Sequence, residues 1–271
     1  MKNSRATHRP ALGRLAAGAA FALAASLLPL LNVTAAEATG SSSACTPDPS
    51  DRLTSVPSPE TALGFPLGTG QERVVTTDEI RSYLGAVDVA SDRVVTGTMA
   101  TSVTGQSLPF AIVSDAAHLA PAALDKIAEG IKDLRDPRRT SPARAAGIAA
   151  QGPAIVWVTG NVHGGEKSGA DAALRTLYEL AAGLSCEVRQ RNKELVTVIV
   201  PTQNPDGRDA SRRQNEFGFD LNRDWFARTQ PETDAKLELL REYPPQVYID
   251  AHEMGGREYF FPPNADPIHH E

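Results

Sequence analysis

Three short, uninterrupted apolar runs constrain this chain more than any other feature: Ala154 to Thr159 (AIVWVT), Leu195 to Val200 (LVTVIV) and Val247 to Asp250 (VYID). A strand with one face in water alternates apolar and polar residues, whereas a strand covered on both faces reads as continuously apolar. Helical patterns separate the runs, from about Gly169 to Ala182 and from Pro231 to Glu242, the second with Thr229 as its expected cap. Buried strands alternating with helices predict an α/β fold: a mostly parallel or mixed central sheet flanked by helices on both faces.

Upstream, Thr77-Asp78-Glu79 opens a predicted helix reaching about Val87, by its cap and first-turn acids. Val94 to Val103 and Leu108 to Ser114 are β-branched and apolar runs separated by Thr104-Gly105-Gln106-Ser107, which predicts an antiparallel hairpin. Pro121, followed by Leu124, Ile127, Ala128, Ile131 and Leu134 at spacings of three and four, predicts an amphipathic helix. The next stretch, RDPRRTSPARAAGIAAQGP, reads as a basic loop or broken helix, and its Arg138-Arg139 pair as part of a solvated loop.

Lys2, Arg5, Arg9 and Arg14 precede a nearly uncharged stretch from Leu15 to Leu31, and Ala36-Glu37-Ala38 follows as a small-residue cleavage pattern. Residues 1–38 are therefore predicted to be a secretory signal peptide, with no stable membrane anchor after cleavage, because Pro29 interrupts an apolar run of only about 17 residues. Residues 39–75, rich in Pro, Ser and Thr, read as an extended lead-in with little core of its own, and 76–271 as the folded domain. The whole chain has 27 Lys+Arg against 33 Asp+Glu; losing 1–38, whose four basic side chains and Glu37 carry +3, takes the net charge from −6 to −9. An acidic product without a basic face excludes nucleic acid as a partner. Cys45 and Cys186 both lie in the exported part, where one disulfide is permitted, and the absence of any C-x-x-C leaves His and carboxylate as the metal ligands.

Polar segments follow the three apolar runs, at the strand ends where open α/β sheets bind ligands. In GNVHGGEKSG, His163 and Glu166 stand three apart, a spacing that brings imidazole and carboxylate to one side of a turn. In YIDAHEMGG, His252 follows the strand end, Asp250 is placed to orient an imidazole from outside the ligand shell, and Glu253 points elsewhere or joins that outer shell. Two His and one Glu form a ligand set that holds catalytic zinc and leaves one position open. In NPDGRDASRRQNEFGFDLNRDW, Arg208, Arg212, Arg213 and Arg223 crowd together beside Asn215 and Asn222, a composition suited to capturing a carboxylate and stabilising an oxyanion.

His163-x-x-Glu166, NPDG at 204–207, DLNRDW at 220–225 and DAHE at 250–253, in that order, resemble the zinc metallocarboxypeptidase family of the carboxypeptidase A type. The resemblance implies one zinc ion on His163, Glu166 and His252. It implies an oxyanion-stabilising arginine at Arg213, with Arg212 as the fallback, and Asn222 with Arg223 gripping the terminal carboxylate of a peptide or protein substrate. The expected product is a secreted enzyme that hydrolyses C-terminal peptide bonds. The family's closing tyrosine and general-base glutamate come several tens of residues after the second histidine, whereas 19 residues follow His252 here. The expectation is thus a chain truncated before its base and specificity pocket, with none of Glu253, Glu258 and Glu271 replacing that base.

Two other readings remain open: a zinc amidase or deacylase acting on cell-wall peptides or N-acyl amino acids, and a zinc- or peptide-binding fragment without turnover. Tyr259-Phe260-Phe261 reads as core packing, His269-His270-Glu271 as a solvated terminus and His118 as structural, while His8 leaves with the signal peptide.

Overall fold

The computed structural model describes residues 45–68 and 73–253. Its centre is a five-stranded mixed sheet in the order β1-β2-β4-β3-β5, built from β1 (Val94–Thr101), β2 (Ser107–Val113), β3 (Ala154–Gly160), β4 (Leu195–Val200) and β5 (Val247–Ala251). β1 and β2 form the expected antiparallel hairpin, and β2 continues antiparallel onto β4. β3 lies parallel to both β4 and β5, pairing Trp157 with Val198 on one side and with Tyr248 on the other.

The helices, which include the short α1 (Pro59–Leu63) and α3 (Ala116–Leu119), surround a sheet that period-two alternation divides into two faces. Ala111, Val113 and Ile199 point into a core with Ile80, Leu84 and Val87 of α2 (Thr77–Ala90) and Ala173, Leu174 and Leu177 of α6 (Ser168–Ala182). Ile112, Ile155, Trp157, Val196, Val198 and Val200 point the other way, against Leu124 and Ile131 of α4 (Pro121–Leu134) and Leu239 of α9 (Pro231–Glu242). Each fully buried aliphatic side chain contributes about 1.5–3 kcal/mol, so Leu174→Ala would cost about 2–5 kcal/mol.

Local chemistry sets the helix ends. Thr76 and Glu79 form a reciprocal capping box at the start of α2. The basic segment expected as a loop or broken helix holds a ten-residue helix, α5 (Pro142–Gln151), because Ser141 accepts from the Arg144 N–H and Pro142 occupies the tolerated first turn. The expected cap of α9 is corrected: Gln230 precedes the helix without a side-chain cap, and the Thr229 hydroxyl donates to Asp224 Oδ1 at 2.7 Å.

Among the described residues β5 pairs only with β3, and its Val247 and Ile249 are 51% and 48% exposed. One further expectation changes. Residues 45–67, read as a lead-in with little core of its own, are tied to the body. Cys45 bonds Cys186 at the start of α7 (Cys186–Glu194), the Leu53 N–H donates to Ala182 O at 2.7 Å, and Val56 is buried in the α2–α6 core.

Candidate metal centre

The candidate site gathers at the carboxyl ends of β3, β4 and β5. Immediately after β3, Asn161 adopts a left-handed backbone (φ 57°), a conformation that asparagine tolerates better than most residues. Its Nδ2 donates to the carbonyls of His163, Gly164 and Glu166 at 3.0, 3.1 and 2.9 Å, so one amide folds the loop around itself. Its Oδ1 accepts from Thr202 Oγ1 at 2.9 Å and from Arg208 Nη1 at 3.3 Å. The loop also packs without space against α8 (Pro205–Asp209): a Cβ on Gly164 would stand 1.9 Å from the Gly207 carbonyl carbon. Glycine at 164 is thus needed for close backbone approach.

This cage presents His163 and Glu166 to His252, which follows β5. His163 Nδ1 is 2.6 Å from Glu166 Oε1, and His252 Nδ1 is 2.8 Å from Glu166 Oε2. The two imidazole centroids are 4.9 Å apart, and all three ligand atoms lie within 4.8 Å of one another. Burial resists ionisation of Glu166, but hydrogen bonds from His163, the Glu253 N–H and His252 outweigh it and hold the carboxyl below its ordinary range.

The outer edge of each ring faces an acid. His163 Nε2 is 3.3 Å from Asp220 Oδ1, and His252 Nε2 is 3.3 Å from Asp250 Oδ2. His163 Nε2 is buried without a hydrogen-bond partner among the described residues, while both Nδ1 atoms converge on one carboxylate and, once deprotonated, can turn their lone pairs on a shared ion. This donor set fits a divalent zinc ion and can hold it with a position left over. Burial would raise the Asp220 carboxyl, yet bonds from Arg213 and the Asn222 N–H, with the charge of Arg213, bring it below its usual value.

The four arginines are not one cluster. Arg208 is buried and structural: its Nε and Nη2 donate to the Val75 carbonyl at 2.9 and 2.7 Å. Arg212 pairs with Glu216. Arg213 alone stands beside the ligand group, its Nε donating to Asp220 Oδ2 at 2.8 Å and its Nη1 3.9 Å from Glu166 Oε1. Asn222 places Nδ2 3.5 Å from His252 Nε2, while Arg223, next in the 3-10 turn Leu221–Arg223, donates from Nη1 to the Asn222 carbonyl at 3.0 Å. Glu253 Oε1 accepts from the Ser168 N–H at 2.5 Å, which commits that carboxylate to the start of α6. Glu258, Tyr259 to Phe261, His269, His270 and Glu271 lie outside the described residues, as do residues 1–44.

The sequence profile described as Zinc carboxypeptidase matches residues 80–266. This chain belongs to the zinc carboxypeptidase family. Carboxypeptidase 2 of Trichophyton tonsurans and Probable carboxypeptidase 2 of Trichophyton verrucosum are each 32% identical to it over 107 residues, which is 40% of this chain and 20% of each relative. The alignment thus spans about a fifth of the length of these relatives. Among solved structures, carboxypeptidase A from Helicoverpa armigera superposes with a TM-score of 0.51 at 16% identity, covering 68% of this chain and 46% of the other. That likeness shows a common carboxypeptidase-like fold.

Residue patterns alone do not single out Asp220, which faces His163, nor Gln203, which donates to Asp250, nor Lys236, which donates to Gln203. Asp220 sits inside DLNRDW, but a carboxylate in an arginine-rich loop reads as a solvated charge. Lys236 falls on an amphipathic helix, where a lysine reads as solvent-facing.

Proposed function

We propose that this protein is a secreted zinc-dependent metallocarboxypeptidase that removes residues from the C-terminus of peptides or proteins. The observation that carries the reading is the convergence of two imidazole Nδ1 atoms on the two oxygens of Glu166, beside an arginine. Zinc, when held by His163, Glu166 and His252, supplies Lewis acidity and an acidified water.

The described residues supply charge stabilisation, substrate anchoring and orientation, and none of them is assigned as the general base. Arg213, tethered through Nε to Asp220, is placed to stabilise negative charge developing on a scissile carbonyl oxygen, a role worth about 3 kcal/mol for a single lost donor. Asn222 and Arg223 bind the free carboxylate at the end of the substrate, Asn222 through Nδ2 and Arg223 through its planar fork. Since Asn222 lies beside His252, only the last peptide bond of a bound chain reaches the metal-binding atoms. Asp220 and Asp250 orient the two imidazoles from behind.

Secretion rests on residues 1–38 as a signal peptide and agrees with the Cys45–Cys186 disulfide. No helix among the described residues is long and apolar enough to cross a membrane. N-terminal sequencing of the protein from culture medium is expected to start at Thr39. For activity, hippuryl amino acids are assayed beside muropeptides on the zinc-loaded protein. Release of the terminal amino acid from the former is expected. Turnover of muropeptides alone would replace this reading with a cell-wall amidase, and stoichiometric zinc without any turnover would replace it with a binding protein.

A further inference from the structure

Lys236, on α9, is only 2% exposed. Burying an ammonium ion is unfavourable unless its donors are satisfied. Among the described residues no carboxylate comes within ion-pair distance of it. Its Nζ donates to Gln203 Oε1 at 2.7 Å and lies 3.9 Å above the ring of Trp225. Burial drives its pKa down to about 8, against the opposing charges of Asp250 and Asp224. A methionine would fill the same slot without the desolvation, so packing alone does not account for a charge here.

The chemistry of its two partners does. An ammonium only donates, so Gln203 must turn its oxygen to Lys236 and its NH2 away. That NH2 donates to Gly160 O at 3.2 Å and to Asp250 Oδ1 at 3.0 Å, leaving Asp250 Oδ2 for His252 Nε2 at 3.3 Å. On the other side, the cation holds the Trp225 face, and the Trp225 Nε1–H donates to Asn222 Oδ1 at 3.1 Å. With its oxygen held by the indole N–H, Asn222 turns its NH2 toward His252 and the site.

We propose that Lys236 is a positioning residue that sets the polarity of two side-chain amides, Gln203 behind His252 and, through Trp225, Asn222 in front of it. A carboxylate ligand needs Asn222 to offer N–H and not C=O, so the buried charge fixes the preference for an acid at the substrate's end. This rests on the reading of Asn222 as a carboxylate-binding residue.

The test uses the full zinc-loaded chain and compares calorimetric binding of N-acetyl-L-phenylalanine with that of its C-terminal amide, alongside circular dichroism. Lys236→Met is expected to keep the fold, to lose about tenfold in affinity for the acid, the size of one charge-assisted hydrogen bond, and to bind the amide unchanged. Trp225→Phe keeps an aromatic face over Lys236 but deletes the N–H to Asn222, so it is expected to lose the acid preference in the same way. If Lys236→Met unfolds, Trp225→Phe decides. Wild-type acid-over-amide preference in a folded Lys236→Met, or in Trp225→Phe, would overturn the proposal alone. A wild-type protein that does not discriminate acid from amide would overturn the reading of Asn222, and this proposal with it.

Discussion

His163 is 5% exposed, on a loop whose carbonyls are gathered by one buried amide, whereas His252 is 31% exposed, just past the end of β5. The first imidazole stands on a loop whose backbone is fixed by Asn161, Gly164 and the α8 turn. The second is placed by side chains: Asp250 and Glu166 beside it, Gln203 behind Asp250, and Asn222 in front. One half of the candidate centre is therefore built into the fold, and the other is held by a short chain of hydrogen bonds. The built half should fail through folding, and the held half through affinity.

The largest effect is expected from Gly164→Ala, whose new Cβ would meet the Gly207 carbonyl carbon at 1.9 Å and force apart the loop and α8. A loss of more than about 4 kcal/mol in urea unfolding is expected, in the class of exceptional single substitutions. A variant within 1 kcal/mol of wild type would show that the two turns are not locked together. Replacing Cys45 with Ser opens a cross-link spanning 141 residues and is expected to cost about 2–5 kcal/mol. Because the disulfide is remote from both halves, zinc affinity of the folded fraction should stay unchanged. A parallel loss of zinc would instead couple the site to global stability.

The loop supporting the held half is expected to be acid-sensitive. Burial raises the Asp224 carboxyl, but hydrogen bonds from Thr229, Gln230 and Thr233 bring it below its ordinary value. A depressed native pKa stabilises fully above the unfolded value, about 4, and that stabilisation disappears as pH falls through the native one. Asp224→Asn should therefore lose about 2 kcal/mol at neutral pH and show a flatter acid limb in pH-dependent unfolding. An unchanged limb would remove Asp224 from the support of this region. The smallest effect is Asp250→Asn, expected to weaken zinc about tenfold in chelator competition while leaving thermal unfolding of the metal-free protein within a few degrees. A large drop in that melting temperature would mean that Asp250 belongs to the built half.

The same contrast explains what was legible in the sequence. His163, Glu166 and His252 stand at fixed offsets from strand ends, and offsets survive in one dimension. The Asn161–Thr202 bond and the His163–Asp220 contact join residues 41 and 57 positions apart, and the Lys236–Gln203 contact joins residues 33 apart and inverts the usual meaning of a lysine, so pattern carries no trace of them. Amphipathic helices such as α4 were readable from spacing. α7 was not, since CEVRQRNKE has one buried apolar residue and owes its start to the Ser185 cap and the disulfide. α5 buries none of its side chains, which leaves no apolar period to read. The apolar run of β5 revealed a strand but not that it pairs with β3, because strand order is decided by which neighbours the helices allow.

The most direct test is zinc K-edge X-ray absorption on the full chain loaded with one equivalent of zinc, beside a His252→Ala variant. The expected first shell is two imidazole nitrogens and one carboxylate, at about 2.0–2.2 Å, with a further light ligand, and it should lose one imidazole in the variant. A shell with no imidazole, or one that His252→Ala leaves unchanged, would contradict the assignment of His163, Glu166 and His252 as the metal centre.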